Sequence, residues 1–321
     1  MDISCSVTPG PDSVEMARLA ESLGYRRIWL HDSPALYRDV WMTLALVVEH
    51  CDEIDVGVGV TVPGLRHPLV TASATATLEA LAPGRVAIAV GTGFTARCML
   101  GQRPATWREV SSFAQQVRGL LRGDAVEIEG GLVQMCHLDG FVASRPVPTP
   151  ILIAANGPKG IAAAHEVGDG VLAMGEPQGG FDWSVFGTAG TVLEPGEDLF
   201  SPRVVDALGP ALALVYHFTY EVAPEAVAGL PGGPEWLAAL ESVPPERRHL
   251  AVHDGHGVAP NDRERDLLRP ELGAGTLTGP PDELRARRAD LEAAGVTEII
   301  YTPMGSDLRR ELTAMAEVLM G

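Results

Sequence analysis

Short apolar runs alternate with longer amphipathic stretches along the chain, and the apolar runs lack the strict polar alternation of half-solvated strands. Parallel strands covered on both faces read in this way. The pattern predicts strands near Ile3–Thr8, Arg27–His31, Asp55–Val62, Arg85–Val90, Ile151–Ala155, Gly170–Met174, Ala211–His217 and Glu298–Thr302. Helical patterns follow most of them: Pro11–Leu23, Val40–Cys51, Pro68–Leu81, Trp107–Leu121, Pro158–Val167, Pro202–Ala207 and Asp282–Ala294, the last stopped by Gly295. Strand and helix alternate with no break in composition, which predicts one α/β domain over residues 1–321. Eight strands is the count of a (β/α)8 TIM barrel. A doubly wound open sheet ranks second, because no GxGxxG opens a helix after the first strand. Two stretches stand outside the repeat. Val126–Leu138, split by Gly130-Gly131, reads as an inserted β-hairpin, and the Gly- and Pro-rich stretch Glu176–Phe200 reads as an insertion over the C-terminal face of the barrel.

Composition narrows the function. With 321 residues, 46% of them hydrophobic, the chain can bury a large core. A formal net charge of -18 argues against nucleic acid or an anionic membrane as partner, since both need basic surface. No apolar run approaches the roughly 18 residues of a membrane span, and no basic, apolar leader precedes the first strand, so a cytoplasmic protein is expected. Cys5, Cys51, Cys98 and Cys136 lie far apart without a CxxC pair, so buried free thiols are expected rather than disulfides or a zinc knuckle. Lys159 is the only lysine.

In a barrel the chemistry sits at the C-terminal ends of the strands, so those tips are the positions to question. They are Thr8-Pro9, His31-Asp32-Ser33, Gly59-Val60-Thr61, Gly91-Thr92-Gly93-Phe94, Ala155-Asn156-Gly157-Pro158-Lys159, Met174-Gly175-Glu176, Tyr216-His217 and Thr302-Pro303. Gly57 and Gly59 weaken a strand interior, so they mark a bulge, a bend, or the close approach of another backbone or a ligand. Asn156–Gly160 opens a helix with small residues, which suits an anion such as a phosphate, Pro158 giving up no needed donor. An ordinary strand-to-helix turn capped by Asn156 is the other reading. Tyr216 and His217, with Glu176, are the titratable groups placed for proton transfer. His249, His253 and His256 carry tempting spacing, but no clear helix aligns them, and no metal site is expected. Trp29 and Trp41 read as core or interface residues.

Taken together, Ile28–Asp32, Gly57–Thr61 with Arg66-His67-Pro68, Ala82–Arg85, Ala89–Gly93, Ala155–Lys159 and Val167–Gly170 give the chain a resemblance to the bacterial luciferase-like superfamily. Within it, the chain resembles the deazaflavin branch that includes the methylenetetrahydromethanopterin reductases. The resemblance covers most of the chain. It implies a (β/α)8 barrel, usually a homodimer, that binds coenzyme F420 or, alternatively, FMN at the strand tips. It also implies a non-proline cis peptide at Gly59–Val60 backing the cofactor ring, with Thr61 beside it. Asp32 matches an acidic position near the ring. Gly91, Thr92 and Gly93 match the loop along it. Ala155, Asn156, Gly157 and Pro158 match the phosphate turn, with Met174 and Gly175 adjacent. The implied reaction is hydride transfer between the deazaflavin C5 and a small ketone, imine or activated alkene, or the reverse; the alternatives are an FMN-dependent monooxygenase and a cofactor-binding barrel without turnover. In the family's sugar-phosphate dehydrogenases a histidine follows the strand-two Asp and a glutamate follows the strand-four glycine. Here those positions are Ser33 and Phe94, so that acid and base are missing and the site is more apolar at Phe94. Arg97 and Arg103 are either cofactor-tail contacts or solvated loop residues.

Overall fold

A computed structural model of the protein describes the backbone of residues 1–321 and every side chain but that of Ala274. The strands are β1 (Asp2–Val7), β2 (Arg27–Leu30), β3 (Asp55–Thr61), β4 (Val86–Val90), the hairpin β5 (Val126–Ile128) and β6 (Gly131–Val133), then β7 (Ile151–Ala154), β8 (Gly170–Met174), β9 (Ser184–Ala189) and β10 (Glu298–Thr302). All but the hairpin pair in parallel and close into a barrel in the order β1-β2-β3-β4-β7-β8-β9-β10. Closure removes the doubly wound alternative. The helices are α1 (Ser13–Leu23), α2 (Val40–His50), α3 (Pro68–Leu81), the short α4 (Phe94–Cys98), α5 (Trp107–Arg122), α6 (Pro158–Val167), α7 (Pro202–Val222), α8 (Gly233–Glu241), α9 (Arg248–Ala251), α10 (Pro281–Ala293) and α11 (Leu308–Leu319). None of these helices is long and apolar enough to cross a membrane.

Seven of the eight expected barrel strands stand where the hydrophobic pattern puts them, and the seventh does not. Ala211–His217 belongs to α7, and the seventh barrel strand is β9, inside the stretch expected to be an insertion. The apolar run ALALVYH suits either conformation, and Pro210, which has no N–H to donate, reads as a boundary. In the fold Pro210 lies within α7, where Leu208 and Leu212 bury one stripe and Tyr216 continues it. β8 passes to β9 through residues 175–183 without a helix. The long excursion follows β9 instead: residues 190–280, carrying α7, α8 and α9, form the insertion, and of Glu176–Phe200 only residues 190–200 belong to it.

Two layers of core hold the barrel. Outside, β-strand side chains such as Ile28, Val56, Ile88 and Ile153 pack with helix residues such as Leu44, Ala76 and Val117. Inside, Trp29 packs with Ala87, Ala89, Leu152, Leu172, Val185 and Ile300. The indole also explains one glycine: a Cβ on Gly57 would sit 2.4 Å from Trp29 Cε3, so Gly57 is small because an aromatic ring fills that space. Trp29 is therefore barrel core, not interface. Alternation along β2 turns Arg27 inward with Trp29, and both are tied at the N-terminal end of the barrel. Arg27 donates to Asp55 at 2.9 Å and to Glu298 at 3.0 Å, while Trp29 Nε1 and Trp183 Nε1 donate to Glu298 at 3.0 and 2.9 Å. Cys5 and Cys51 are buried thiols as expected, Cys98 is half-buried, and Cys136 is exposed because it follows the hairpin on the surface.

Candidate active site

Strands β3 and β4 build one wall of the barrel mouth. The Gly59–Val60 peptide is cis, and the pairing of β3 with β4 shifts register between Gly59 and Thr61. His31 reaches the Gly59 carbonyl at 3.0 Å from Nδ1. A carbonyl only accepts, so the proton is on Nδ1; burial holds the His31 pKa below its ordinary value despite this bond, which favours the neutral ring. Val60 faces the tip of β4, where a Cβ on Gly91 would lie 2.8 Å from Val60 Cγ2. Gly93 has φ of 73°, and a Cβ there would meet Val62 Cγ1 at 2.1 Å. Both glycines thus let the two strand tips close on each other. Thr61 is fully buried beside them, and its carbonyl accepts from the Gly91 amide at 3.1 Å. Thr92 is half-buried between the two glycines.

Asp32 is buried at the tip of β2, and its carboxylate is taken up by Arg66. Arg66 Nε donates to Oδ2 at 2.9 Å and Nη2 to Oδ1 at 3.0 Å, a bidentate pair. Arg66 Nη2 also donates to Asp39 at 2.8 Å, and Asp39 caps α2 by accepting from the Met42 amide at 3.0 Å. Burial works against the Asp39 charge, yet the Met42 and Arg66 hydrogen bonds hold its carboxyl below the usual range. Arg97 similarly braces loops: it donates to the carbonyls of Arg103 and Pro63 at 2.7 and 2.9 Å.

Across the mouth, Ala155 is buried and residues Asn156 to Lys159 are exposed at the start of α6. Asn156 does not cap the helix. Its Oδ1 accepts from the Met174 amide at 2.7 Å, tying the tips of β7 and β8 together. Gly157 is the N-cap residue, with no side-chain cap, and among the described residues the amides of Gly157 and Lys159 find no acceptor. Two orphan donors at a positive helix end, with Pro158 needing none, form a place for an anion. A Cβ on Gly157 would touch nothing within 4 Å. Met174, 58% exposed, and Gly175, with φ of 91°, border this turn.

The insertion after β9 supplies the roof. Phe218 of α7 lies 5.4 Å from Phe94, ring centre to ring centre. His217 is not at a strand tip: it is buried in α7, where Nε2 lies 2.6 Å from Glu264 Oε1 and Nδ1 lies 3.0 Å from His256 Nδ1. His256 is the residue that reaches the mouth, with Nε2 3.1 Å from Thr95 Oγ1, while its carbonyl accepts from Tyr37 Oη at 2.6 Å. Burial, then repulsion from His217, His253 and His31, holds the His256 pKa well below its ordinary value. His253 joins the group, its Nδ1 3.1 Å from His256 Nδ1, whereas His249 stays out of it. Glu176 is exposed, and among the described residues its carboxylate makes no hydrogen bond or ion pair. Of the three proton-transfer candidates, only His217 is linked to the mouth, and through a second histidine. Thr95 and Glu264 escaped the sequence, and His256 was weighed there only as a metal ligand. The RHLAVHDGH segment held the one usable signal, and Glu264 sits in an acidic and basic run that reads as solvated surface.

A parallel eight-stranded barrel whose strand tips carry an open, anion-ready helix end beneath a helical roof defines the class. The sequence model of the luciferase-like monooxygenase family matches residues 6–298, and the chain belongs to that family. It is 26% identical to the 5,10-methylenetetrahydromethanopterin reductase of Methanolobus tindarius over 318 residues, 95% of this chain and 94% of that protein. It is 30% identical to the F420-dependent glucose-6-phosphate dehydrogenase of Amycolatopsis mediterranei over 348 residues, 96% and 93% of the two chains. The solved F420-dependent secondary alcohol dehydrogenase in complex with an F420-acetone adduct superposes with a TM-score of 0.70 at 16% identity over 99% of this chain and 98% of that one, which is a likeness of fold.

Proposed function

We propose that the protein is an F420-dependent oxidoreductase that moves a hydride between the deazaflavin C5 and a small ketone, imine or activated alkene, or in reverse. The observation that carries the reading is the uncapped start of α6, with its two orphan amides, beside a barrel mouth shared in fold with F420-dependent relatives. The residues fit the cofactor's two demands. Gly59, Val60 and Thr61 offer a smooth wall for a flat ring, and Gly91, Thr92 and Gly93 bring backbone to its edge. Ala155, Asn156, Gly157 and Pro158 take the phosphate, with Met174 and Gly175 alongside. When bound, a reduced deazaflavin supplies a hydride equivalent, and the protein supplies orientation and a proton.

His31 and the Asp32–Arg66–Asp39 ion pairs act as positioning residues for the β2 and β3 tips, since each of these side chains is already committed to a protein partner. Thr95 is the group best placed to meet a substrate oxygen. When its Oγ1 accepts from His256 Nε2, its own proton is free to donate into the mouth. Phe94 and Phe218 make the substrate side apolar, consistent with a small organic substrate in place of a sugar phosphate. The α2–α3 face carries Met42 at 72%, Leu46 at 52% and Val70 at 53% exposure, and it is the face through which a homodimer would form.

The test is a fluorescence titration with coenzyme F420 and, separately, FMN at one salt concentration. Micromolar or tighter F420 binding, with FMN at least about tenfold weaker, is expected, a gap of about 1.4 kcal/mol. Selective FMN binding would replace the reading with a monooxygenase, and F420 binding without hydride transfer to a broad carbonyl, imine and enone panel would leave a cofactor-binding barrel.

A further inference from the structure

We propose that His217, His253 and His256 form a binding site for one divalent first-row metal ion of the zinc class, with Glu264 and Glu221 behind the ligands. The site is independent of the cofactor assignment. One ring nitrogen from each histidine lies within 4.8 Å of the other two. The two closest pairs, His217 Nδ1 with His256 Nδ1 and His253 Nδ1 with His256 Nδ1, are 3.0 and 3.1 Å apart. Two imidazole nitrogens at the usual zinc distance, separated by 90° to 110°, stand about 2.9–3.4 Å apart.

The proton count says why a cation belongs there. His217 Nε2 faces Glu264 Oε1 at 2.6 Å, and His253 Nε2 is in ion-pair contact with Glu221 Oε1. A carboxylate accepts, so each of these rings turns an Nε2–H to its carboxylate and its Nδ1 inward. Both Nδ1 atoms converge on His256 Nδ1, whose ring faces Thr95 with its other nitrogen. A metal ion at the centre would accept all three lone pairs. The outer carboxylates would then fill the orienting role that ligating histidines commonly find in a second ring of acceptors.

The charge count agrees. Glu264 and Glu221 side chains are 2% and 7% exposed, and among the described residues neither pairs with an arginine or lysine. Trp236 Nε1 donates to Glu264 at 3.0 Å, but Glu264 Oε2 has no hydrogen-bond donor. Two buried carboxylates without an arginine or lysine partner would be screened by a divalent ion held in front of them. The ion would fasten α7 to the 253–256 turn and polarise the His256 Nε2–H that meets Thr95.

The experiment uses the full chain, freed of metal by a chelator and then titrated with Co2+ read by visible absorption and with Zn2+ read by calorimetry. The expected result is one ion per chain, micromolar or tighter, with the intense visible bands of four-coordinate Co2+. His253→Gln and His217→Gln should each weaken binding at least about 100-fold, and Glu264→Gln by about 10- to 100-fold. His249→Gln should leave it unchanged. Circular dichroism establishes that each variant is folded, and Glu264→Gln, which keeps the side-chain shape, serves if a histidine variant is not. Absence of binding at 100-fold excess over protein, or binding that survives both His217→Gln and His253→Gln, would overturn the proposal.

Discussion

Arg27 at the start of β2 donates from Nη1 to Glu298 Oε2 at the start of β10, 3.0 Å away, across the end of the barrel opposite the mouth. The Glu298 side chain is 2% exposed and also accepts from Trp29 and Trp183. The pair thus joins three strands and the segment before β9, and the guanidinium stacks 4.8 Å from the Trp183 ring centre. Glu298→Ala removes the acceptor for all three donors and leaves Arg27 with Asp55 alone. Removing one partner of a buried pair costs about 3–5 kcal/mol. Urea unfolding should show a loss of that size with an unchanged slope. A loss below about 1 kcal/mol would mean that water replaces the carboxylate there without penalty.

The start of α6 allows a test in which fold and binding separate cleanly. Gly157 has φ of −104°, open to any residue, and a Cβ there meets nothing within 4 Å. Gly157→Asp therefore places a negative charge at the anion turn without steric cost. Titration calorimetry should show F420 affinity weakened by more than about tenfold, about 1.4 kcal/mol, while the melting temperature stays within about 2 °C of the parent. Equal affinity in the variant would remove the turn from the cofactor site.

How far the sequence reached depended on whether the cause of each feature was local. The barrel strands other than β9 were legible because Val- and Ile-rich runs bounded by glycine and proline report two-sided burial directly. β9, SVFGTA, is interrupted by Gly187, and its neighbours in sequence look like loop. Gly57 was legible as an anomaly but not in its cause, because the ring that demands it belongs to Trp29 on the adjacent strand. The Gly59–Val60 cis peptide came from the family resemblance, and the structure places it at that bond. The contact between Thr95 and His256 spans 161 positions and could not be read from either segment alone. The start of α6 was legible as either an anion turn or a turn capped by Asn156, and the Asn156 to Met174 hydrogen bond removes the cap.

The exposed face of α2 and α3 predicts an assembly. Met42, Leu46, Val70 and Leu81 are each at least half exposed, and Met42, Val70 and Leu81, with Leu69 and Ala74, line a shallow apolar groove on one side of the barrel. Met42→Lys puts an unpartnered charge in the middle of that face, where none of the contacts that hold the barrel is touched. Sedimentation equilibrium should show the parent as a dimer and the variant shifted toward monomer by at least about tenfold in dissociation constant, about 1.4 kcal/mol. A parent that sediments as a monomer at all concentrations would dismiss the dimer, and a variant as dimeric as the parent would move the interface elsewhere.

The acid limb of stability should trace in part to Glu197. Arg203 donates from Nε to Glu197 Oε1 at 2.8 Å and from Nη1 to Glu311 at 3.1 Å, fastening the segment after β9 to α11. The Arg203 hydrogen bonds lower the Glu197 pKa from 4.5 to about 2, although partial burial opposes them. A carboxyl whose pKa falls on folding adds stability above its unfolded value and loses it as pH drops through the folded one. The contribution should therefore be complete above pH 4.5 and vanish progressively toward pH 2. Glu197→Gln, which keeps the shape and removes the charge, should melt below the parent at neutral pH. That difference should shrink as the pH is lowered through this window, because the parent's own Glu197 becomes protonated. The side chain is partly exposed, so the difference is also expected to narrow in high salt. A gap in melting temperature that stays constant from pH 7 to pH 2.5 would show that the Arg203 pairing does not carry the charge-dependent part of stability.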